Sequence, residues 1–124
     1  MKKRSSGALI TEAQAGEYEL ISPQLGAMIG EVRELSKKKP NEALNVLKVK
    51  MLNAILKRVI ALLSQEPTSE FLQMLDEDTL PSASDASFVL AQHASAMKQF
   101  HQSHHGWDGS EHRWFTSENP GLRQ

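Results

Sequence analysis

Four of the five histidines of this 124-residue chain lie in one short stretch, HQSHHGWDGSEHRW, at positions 101 to 114. His101 and His105 are four residues apart, and His104 is three from His101, so on a helix these side chains share one face. Imidazole nitrogens with this spacing are typical zinc ligands, and Asp108 could add a carboxylate oxygen after the turn. One alternative that the stretch predicts is therefore a metal site built from His101, His104, His105 and Asp108.

The same spacing invites comparison with the helix of a metalloprotease. In that helix the catalytic glutamate directly follows the first histidine, whereas Gln102 occupies the position here. The competing interpretation is a polar helix end, where protonated imidazoles interact favourably with the C-terminal dipole. We expect this second arrangement, and no cofactor.

His93 lies on an apolar helical stripe between Leu90 and Met97. A single histidine in such a position is usually a core residue that makes one hydrogen bond, although a buried histidine can also act as a pH switch. Since nothing else in the sequence indicates a two-state element, we expect a core histidine.

A basic segment at residues 31–58 provides another alternative, because such a stripe is the electrostatic footprint of a nucleic-acid-binding protein. The candidate residues are Arg33, Lys37, Lys38, Lys39, Lys50, Lys57 and Arg58. Against this interpretation, the net charge of the chain is −1, and no aromatic residue lies between Arg33 and Arg58 to stack on a base. A solvated helical face is favoured, with nucleic acid as a less favoured partner.

Catalysis finds little support in the sequence. The chain has no cysteine, which excludes disulfides, thiolate nucleophiles and cysteine-ligated zinc. It also has no nucleophile elbow, phosphate loop or dinucleotide-binding turn. We therefore expect a protein that is not an enzyme.

Charge is segregated along the chain. Residues 1–60 hold eleven Lys and Arg against six Asp and Glu, whereas residues 61–124 hold three against nine. Such asymmetry is informative about partners and self-association rather than about fold. Two copies could pair through their opposite charges, and a separate charged protein would fit equally well.

The elements that must position these residues are helices. Ser22 and Pro23 are typical of an N-cap and a first helical residue, so they predict a helix that begins at residue 23 and ends before Pro40. Gly26 and Gly30, four residues apart within it, suggest a close approach to another helix. Three more helices are predicted at 41–65, 68–75 and 84–104, with Gly106 ending the last one.

We expect an all-α fold, a small irregular four-helix bundle centred on the second and fourth helices. The apolar arc of the second helix covers about half of its circumference, which indicates two or more neighbours, or one neighbour plus a dimer partner. The predicted divisions are a mostly disordered or extended N-terminal arm at 1–22, a single helical domain at 23–105, and a C-terminal turn and aromatic tail at 106–124. We expect that tail to pack back on the bundle.

These features predict a small non-catalytic adaptor or regulatory protein that acts through protein–protein contacts, with a partner protein or as a homodimer. The candidate contact residues are the large apolar groups on a polar helix face or in the tail: Phe88, Trp107, Trp114 and Phe115. Because the longest apolar run is five residues, we expect no membrane partner. The lack of cysteine is consistent with a cytoplasmic location, which we also expect.

Overall fold

A computed structural model describes residues 9–120 of the chain. Three α-helices and one antiparallel two-stranded sheet follow in the order α1 (Glu12–Lys38), α2 (Val46–Leu62), α3 (Ala83–His104), β1 (His105–Trp107) and β2 (His112–Trp114). A 3-10 turn at Pro67–Phe71 replaces the predicted third helix. The fold is mostly helical, but the prediction of four helices is wrong, and a hairpin follows the last helix.

The helix α1 begins well before the predicted start at Pro23. Thr11 is its N-cap: the Thr11 hydroxyl accepts a hydrogen bond from the Gln14 amide at 3.1 Å, and the Gln14 side chain accepts one from the Thr11 amide at 2.8 Å. This capping box satisfies two of the free amides of the first turn. Pro23 therefore lies inside the helix, and residues 12–22 of the predicted extended arm are helical.

The C-terminal segment holds the start of α1 in place. The Glu118 carboxylate accepts a hydrogen bond from the Glu12 amide at 2.9 Å, and the Ser117 amide donates to the Ile10 carbonyl at 2.8 Å. The Thr116 hydroxyl donates to the Glu12 carboxylate at 3.1 Å. Residues 1–8 of the predicted arm and 121–124 of the predicted tail lie outside the described residues.

The core forms where α1 packs against the other two helices. The helix α1 has extensive contacts with both α2 and α3, whereas α2 and α3 touch each other little. The prediction that the second and last helices form the centre is therefore wrong. Side chains buried at these contacts include Ile21, Leu25, Val49, Leu56, Leu90 and Phe100. Within residues 9–120, no helix combines the length and the apolar composition needed to cross a membrane.

A buried polar side chain, Asn53, explains why residues 72–77 are not helical. Its amide nitrogen donates to the Leu75 carbonyl at 2.9 Å, and its amide oxygen accepts from the Leu75 amide at 2.8 Å, as a neighbouring strand would. The same nitrogen donates to the Glu77 carboxylate at 3.0 Å. This hydrogen bond, together with Lys50, holds the pKa of Glu77 below its usual value. The backbone N–H and C=O groups of the extended segment at Leu75 thus form their hydrogen bonds with a side chain of α2.

Gly26 and Gly30 do not mark a close helix approach, contrary to the prediction. A Cβ atom added at either position would meet no neighbouring atom within 4 Å beyond the local helix backbone. Both glycines therefore carry the conformational-entropy cost of glycine in a helix without a packing reason.

Gly26→Ala and Gly30→Ala should each stabilise the protein by about 1 kcal/mol, because alanine loses less backbone entropy in a helix. Thermal unfolding followed by circular dichroism should show a rise in Tm of roughly 4 °C for each. Gly109→Ala is the matched control with the opposite expected sign, since Gly109 has a φ of 106° that an L side chain rarely adopts. A fall in Tm for Gly26→Ala would contradict the open space seen at that position.

Asn53→Ala should destabilise the protein by about 3 kcal/mol, because it leaves the buried backbone groups of Leu75 unpaired. Asn45→Ala is a useful comparison, since Asn45 only caps α2 by accepting from the Lys48 amide. Loss of that cap should cost about 1 kcal/mol. Urea denaturation of the two variants measures the difference in the free energy of unfolding. Equal losses would show that the hydrogen bonds of Asn53 contribute no more than the exposed cap at Asn45 does.

Candidate functional site

An apolar groove runs between the C-terminal part of α1 and the N-terminal part of α2. It has a volume of about 470 Å³ and is lined by Met28, Glu31, Val32, Glu34, Leu35, Lys38, Leu44, Lys48, Met51 and Leu52. The side chains of Val32, Leu44 and Leu52 are buried and form its floor. The groove is therefore a recess in the surface whose base is continuous with the core.

The loop between α1 and α2 shapes one end of the groove. The Leu44 amide donates to the Pro81 carbonyl at 2.9 Å, and Ala43 forms an isolated antiparallel bridge with Ser82 at the start of α3. These contacts keep Leu44 extended and buried, so α2 begins later than residue 41, with Asn45 as its cap. Anchoring the loop to α3 thus supplies an apolar side chain to the floor.

The α2 side of the groove exposes large apolar side chains. Met51 lines the groove with 52 % of its surface exposed, and Leu47, one turn earlier on the same face, is 66 % exposed. On α1, Met28 and Leu35 are half-buried. The groove and its α2 edge therefore leave an apolar surface with no covering element among residues 9–120.

Charged side chains flank this apolar surface on both sides. Glu31, Glu34 and Lys38 lie on the α1 side of the groove (the α1 lip), and Lys48 lies on the α2 side (the α2 lip). Glu34 pairs with Lys37 at 3.2 Å. Within the described part of the chain, Glu31, Lys38 and Lys48 form no ion pair, so one carboxylate and two ammonium groups are open to a bound molecule.

The lining of the groove is suited to contact with an apolar surface. The groove presents methionine, leucine and valine, with carboxylates and ammonium groups at its edges. An amphipathic helix inserts its apolar stripe into a groove of this kind and keeps its polar face in water. The arrangement is thus suited to a helix.

The structure brings together two of the four predicted metal ligands, His101 and His105. Their rings stack with centroids 4.4 Å apart, and both lie edge-on to Trp114. The ring of His112 on β2 is nearly parallel to that of His105 at 6.5 Å. Burial lowers the pKa of His105, and the neighbouring His101 and His112 lower it further, whereas Glu19 acts in the opposite direction. Protonation of His105 is therefore disfavoured.

The other two predicted ligands are engaged elsewhere. His104 is buried, and its Nε2 atom lies 3.0 Å from a carboxylate oxygen of Glu66. Asp108 accepts hydrogen bonds from the amides of Ser110 at 2.8 Å and Glu111 at 2.9 Å inside the hairpin turn, and these lower its pKa. Among residues 9–120, no three His, Asp or Glu side chains are grouped as metal ligands. The predicted four-residue set is thus not assembled.

The basic residues predicted for nucleic acid are mostly paired with carboxylates. The pairs and their N–O distances are Lys37–Glu34 at 3.2 Å, Lys39–Glu42 at 3.6 Å, Lys50–Glu77 at 3.1 Å and Arg58–Glu17 at 2.8 Å. Arg33, Lys38 and Lys57 form no ion pair within residues 9–120. Paired cations have less charge to offer a phosphate backbone, and nucleic-acid binding stays a prediction.

The four predicted contact residues divide into two exposed and two packed side chains. Phe88 on α3 is 70 % exposed and Trp107 on β1 is 60 % exposed. Trp114 packs its ring against Tyr18 at 5.1 Å and donates to a Glu19 carboxylate oxygen at 2.9 Å. Phe115 is buried. Neither exposed residue lines the groove.

Apart from Lys38, the sequence-based site predictions include none of the groove residues. The signal that could have located the groove was the apolar arc of α2, which is wider than one neighbouring helix can cover. The missing information was which neighbour leaves part of that arc open. Because α3 packs mainly on α1, the flank of α2 around Met51 stays uncovered.

Comparison of the chain with known protein families, curated proteins and solved structures finds no match. Any functional conclusion therefore depends on the residues of the groove and of the hairpin themselves.

His93 confirms the prediction of a core histidine with one hydrogen bond. It is fully buried, and its Nε2–H donates to the Gln73 carbonyl at 2.8 Å. Its Nδ1 atom is buried with no hydrogen-bond partner among the described residues. Burial lowers the pKa of His93 below its ordinary value, and the hydrogen bond to Gln73 opposes this only in part.

Acid should destabilise the protein through His93. Its folded-state pKa lies below the unfolded value of 6.5, so the unfolded chain binds the proton first as the pH falls. The free energy of unfolding should be fully retained above about pH 6.5 and should decline as the pH drops toward the folded pKa. His93→Gln keeps a donor for Gln73 and does not titrate, so denaturation between about pH 7.5 and 5 should show a smaller decline. Equal declines in both proteins would exclude His93 as the cause.

Proposed function

We propose that this chain is a non-catalytic adaptor or regulatory protein that binds an amphipathic helix in the groove between α1 and α2. The observation that carries the proposal is the open apolar groove of about 470 Å³, whose α2 edge leaves Leu47 and Met51 exposed. Contiguous exposed apolar surface on a folded domain usually marks an interaction site.

The length of the groove supports a helix as the bound element. Met28 and Leu35 on its α1 side are seven residues apart, which corresponds to about 10.5 Å along a helix. An apolar stripe with anchors at i, i+4 and i+7 has the same length. A partner helix that contributes about two turns therefore matches the groove.

The charges on the lips would favour one orientation of a partner helix in the groove. A partner helix with a basic side chain facing Glu31 and an acidic side chain facing Lys48 would gain two complementary contacts. Pairs at the edge of an interface contribute to specificity and association rate more than to affinity. The apolar floor is thus the source of binding energy in this proposal.

Neither alternative function has a site of comparable quality. Four of the seven candidate cations for nucleic acid pair with carboxylates, and the four candidate metal ligands are not brought together. We therefore propose neither nucleic-acid binding nor metal binding.

Methyl NMR of the methionines tests the proposal directly. Met28 and Met51 line the groove, whereas Met97 is buried in the core and Met74 lies outside the groove. A designed amphipathic helical peptide of about 18 residues with leucines at i, i+4 and i+7 should shift the Met28 and Met51 methyl signals. A scrambled peptide of the same composition should leave all four signals in place.

Met51→Glu should weaken binding of the same peptide at least about tenfold, because it places a charge on the apolar contact. Phe88→Glu is the matched control on α3, since Phe88 is also exposed but lies outside the groove. It should leave the affinity unchanged. Circular dichroism checks that both variants fold, and peptide-induced shifts confined to Met74 would contradict the proposed site.

A further inference from the structure

Three imidazole rings form a stack where α3 meets the hairpin. The ring centroids of His101 and His105 are 4.4 Å apart, and His112 on β2 continues this histidine stack at 6.5 Å from His105. The rings of His101 and His105 also lie nearly perpendicular to that of Trp114, at 5.2 and 5.1 Å. Trp114 in turn packs on Tyr18 of α1. The histidine stack is therefore part of the contact between the hairpin and the first half of α1.

Negative charge around the histidine stack is scarce. Within residues 9–120, Glu19 on α1 is the carboxylate that raises the pKa of His105. Its Oε2 atom already accepts the indole N–H of Trp114 at 2.9 Å. Lys98 on α3 lines the same recess between α1 and α3 as Glu19 and His101, and it adds a positive charge. One carboxylate can thus offset one protonated imidazole but not two or three.

The other charged groups near the hairpin are engaged away from the histidine stack. Arg113 alternates to the opposite face of β2, where its Nε atom lies 3.7 Å from the Asp108 carboxylate. The buried His104 has a carboxylate of its own, since its Nε2 atom lies 3.0 Å from Glu66. Glu111 is exposed in the turn and does not shift the pKa of His105. These groups therefore leave the balance of charge at the stack to Glu19.

Protonation and attachment of the hairpin oppose each other. Burial lowers the pKa of His105, and the neighbouring His101 and His112 lower it further. A detached hairpin would place His105 and His112 in water, where the pKa of His105 returns to its ordinary value of 6.5. Attachment should therefore be complete above about pH 6.5 and should weaken as the pH falls. Because the three rings interact, the transition belongs to the stack rather than to one residue.

We infer that the histidine stack is a pH-sensitive switch, in which protons gathered on His101, His105 and His112 drive the hairpin away from α1 in acid. Detachment exposes an aromatic surface that the neutral protein covers, because Trp114 separates from Tyr18 and from the buried Phe100. The stack shares no residue with the groove between α1 and α2, so this inference does not depend on the proposed function.

The fluorescence of Trp114 tests the inference. Trp107→Phe leaves Trp114 as the single tryptophan of the chain. Between about pH 7.5 and 5, with a chelator present, its emission should move to longer wavelength and its quenching by acrylamide should increase. The ratio of detached to attached hairpin should rise up to about tenfold per pH unit for each proton taken up. Circular dichroism of the same samples should show that most of the helical signal remains. A constant Trp114 signal, or one that changes only with the whole helical signal, would overturn the inference.

Two charge variants of this Trp107→Phe chain should shift the transition in opposite directions. Glu19→Gln keeps an acceptor for the Trp114 indole but removes the negative charge, so the midpoint should rise by about half a pH unit. His112→Gln removes one imidazole, so the midpoint should fall by a similar amount. Both side chains are exposed, and both variants should fold. Shifts in the same direction, or no shift in either variant, would show that the contact is held by packing alone.

His93→Gln is the control for acid effects elsewhere in the protein. His93 is buried against Gln73 and titrates in the same pH range, but it makes no ring contact with the histidine stack. The carboxylates of Asp108 and Glu118 have lowered pKa values, so they stay ionised down to about pH 5. The midpoint of the Trp114 transition should therefore be unchanged in His93→Gln. Loss of the transition in this variant would assign the acid response to the core histidine and exclude the switch.

Discussion

The contact between the C-terminal segment and the start of α1 is the constraint on which the rest of the structure depends. Pro23 removes one backbone hydrogen bond from α1 and crowds the carbonyl of Glu19, at a typical cost of about 3 kcal/mol. The helix continues through this point because tertiary contacts hold the part before it. Trp114 packs on Tyr18 and donates to the side chain of Glu19, the residue that the proline disturbs. Farther along, Glu118 caps the helix start at Glu12.

A long α1 has consequences for the other helices. Its length lets it contact α3 along much of its surface and α2 as well, while α2 and α3 barely meet. The helix α2 is thus packed mainly against α1, although its apolar arc is wide enough to contact two neighbouring helices. The uncovered flank around Leu47 and Met51, together with the C-terminal part of α1, becomes the groove. The proposed binding site therefore depends on the length of α1.

Local sequence patterns predicted some of these elements well and others poorly. The helix α3 runs from Ala83 to His104 with a Ser82 cap, close to the predicted 84–104, because its cap and periodicity act within a few residues. Asn53 shows the opposite case. Its helical spacing from Lys50 and Lys57 is typical of the polar face of α2, but Asn53 is buried and pairs with Leu75, twenty-two residues away. No pattern within α2 indicates that a distant extended segment needs its amide.

The sequence by itself determined that the chain is mostly helical, that it lacks thiol chemistry, and that His93 lies on an apolar face as a core residue. Each of these follows from residue type or from spacing over one or two helical turns. Tertiary structure alone decided that α1 continues through Pro23, that His104 pairs with Glu66, and that the groove stays open. These outcomes depend on groups far apart in the chain, and their free energies appear only when folding brings those groups together and removes them from water.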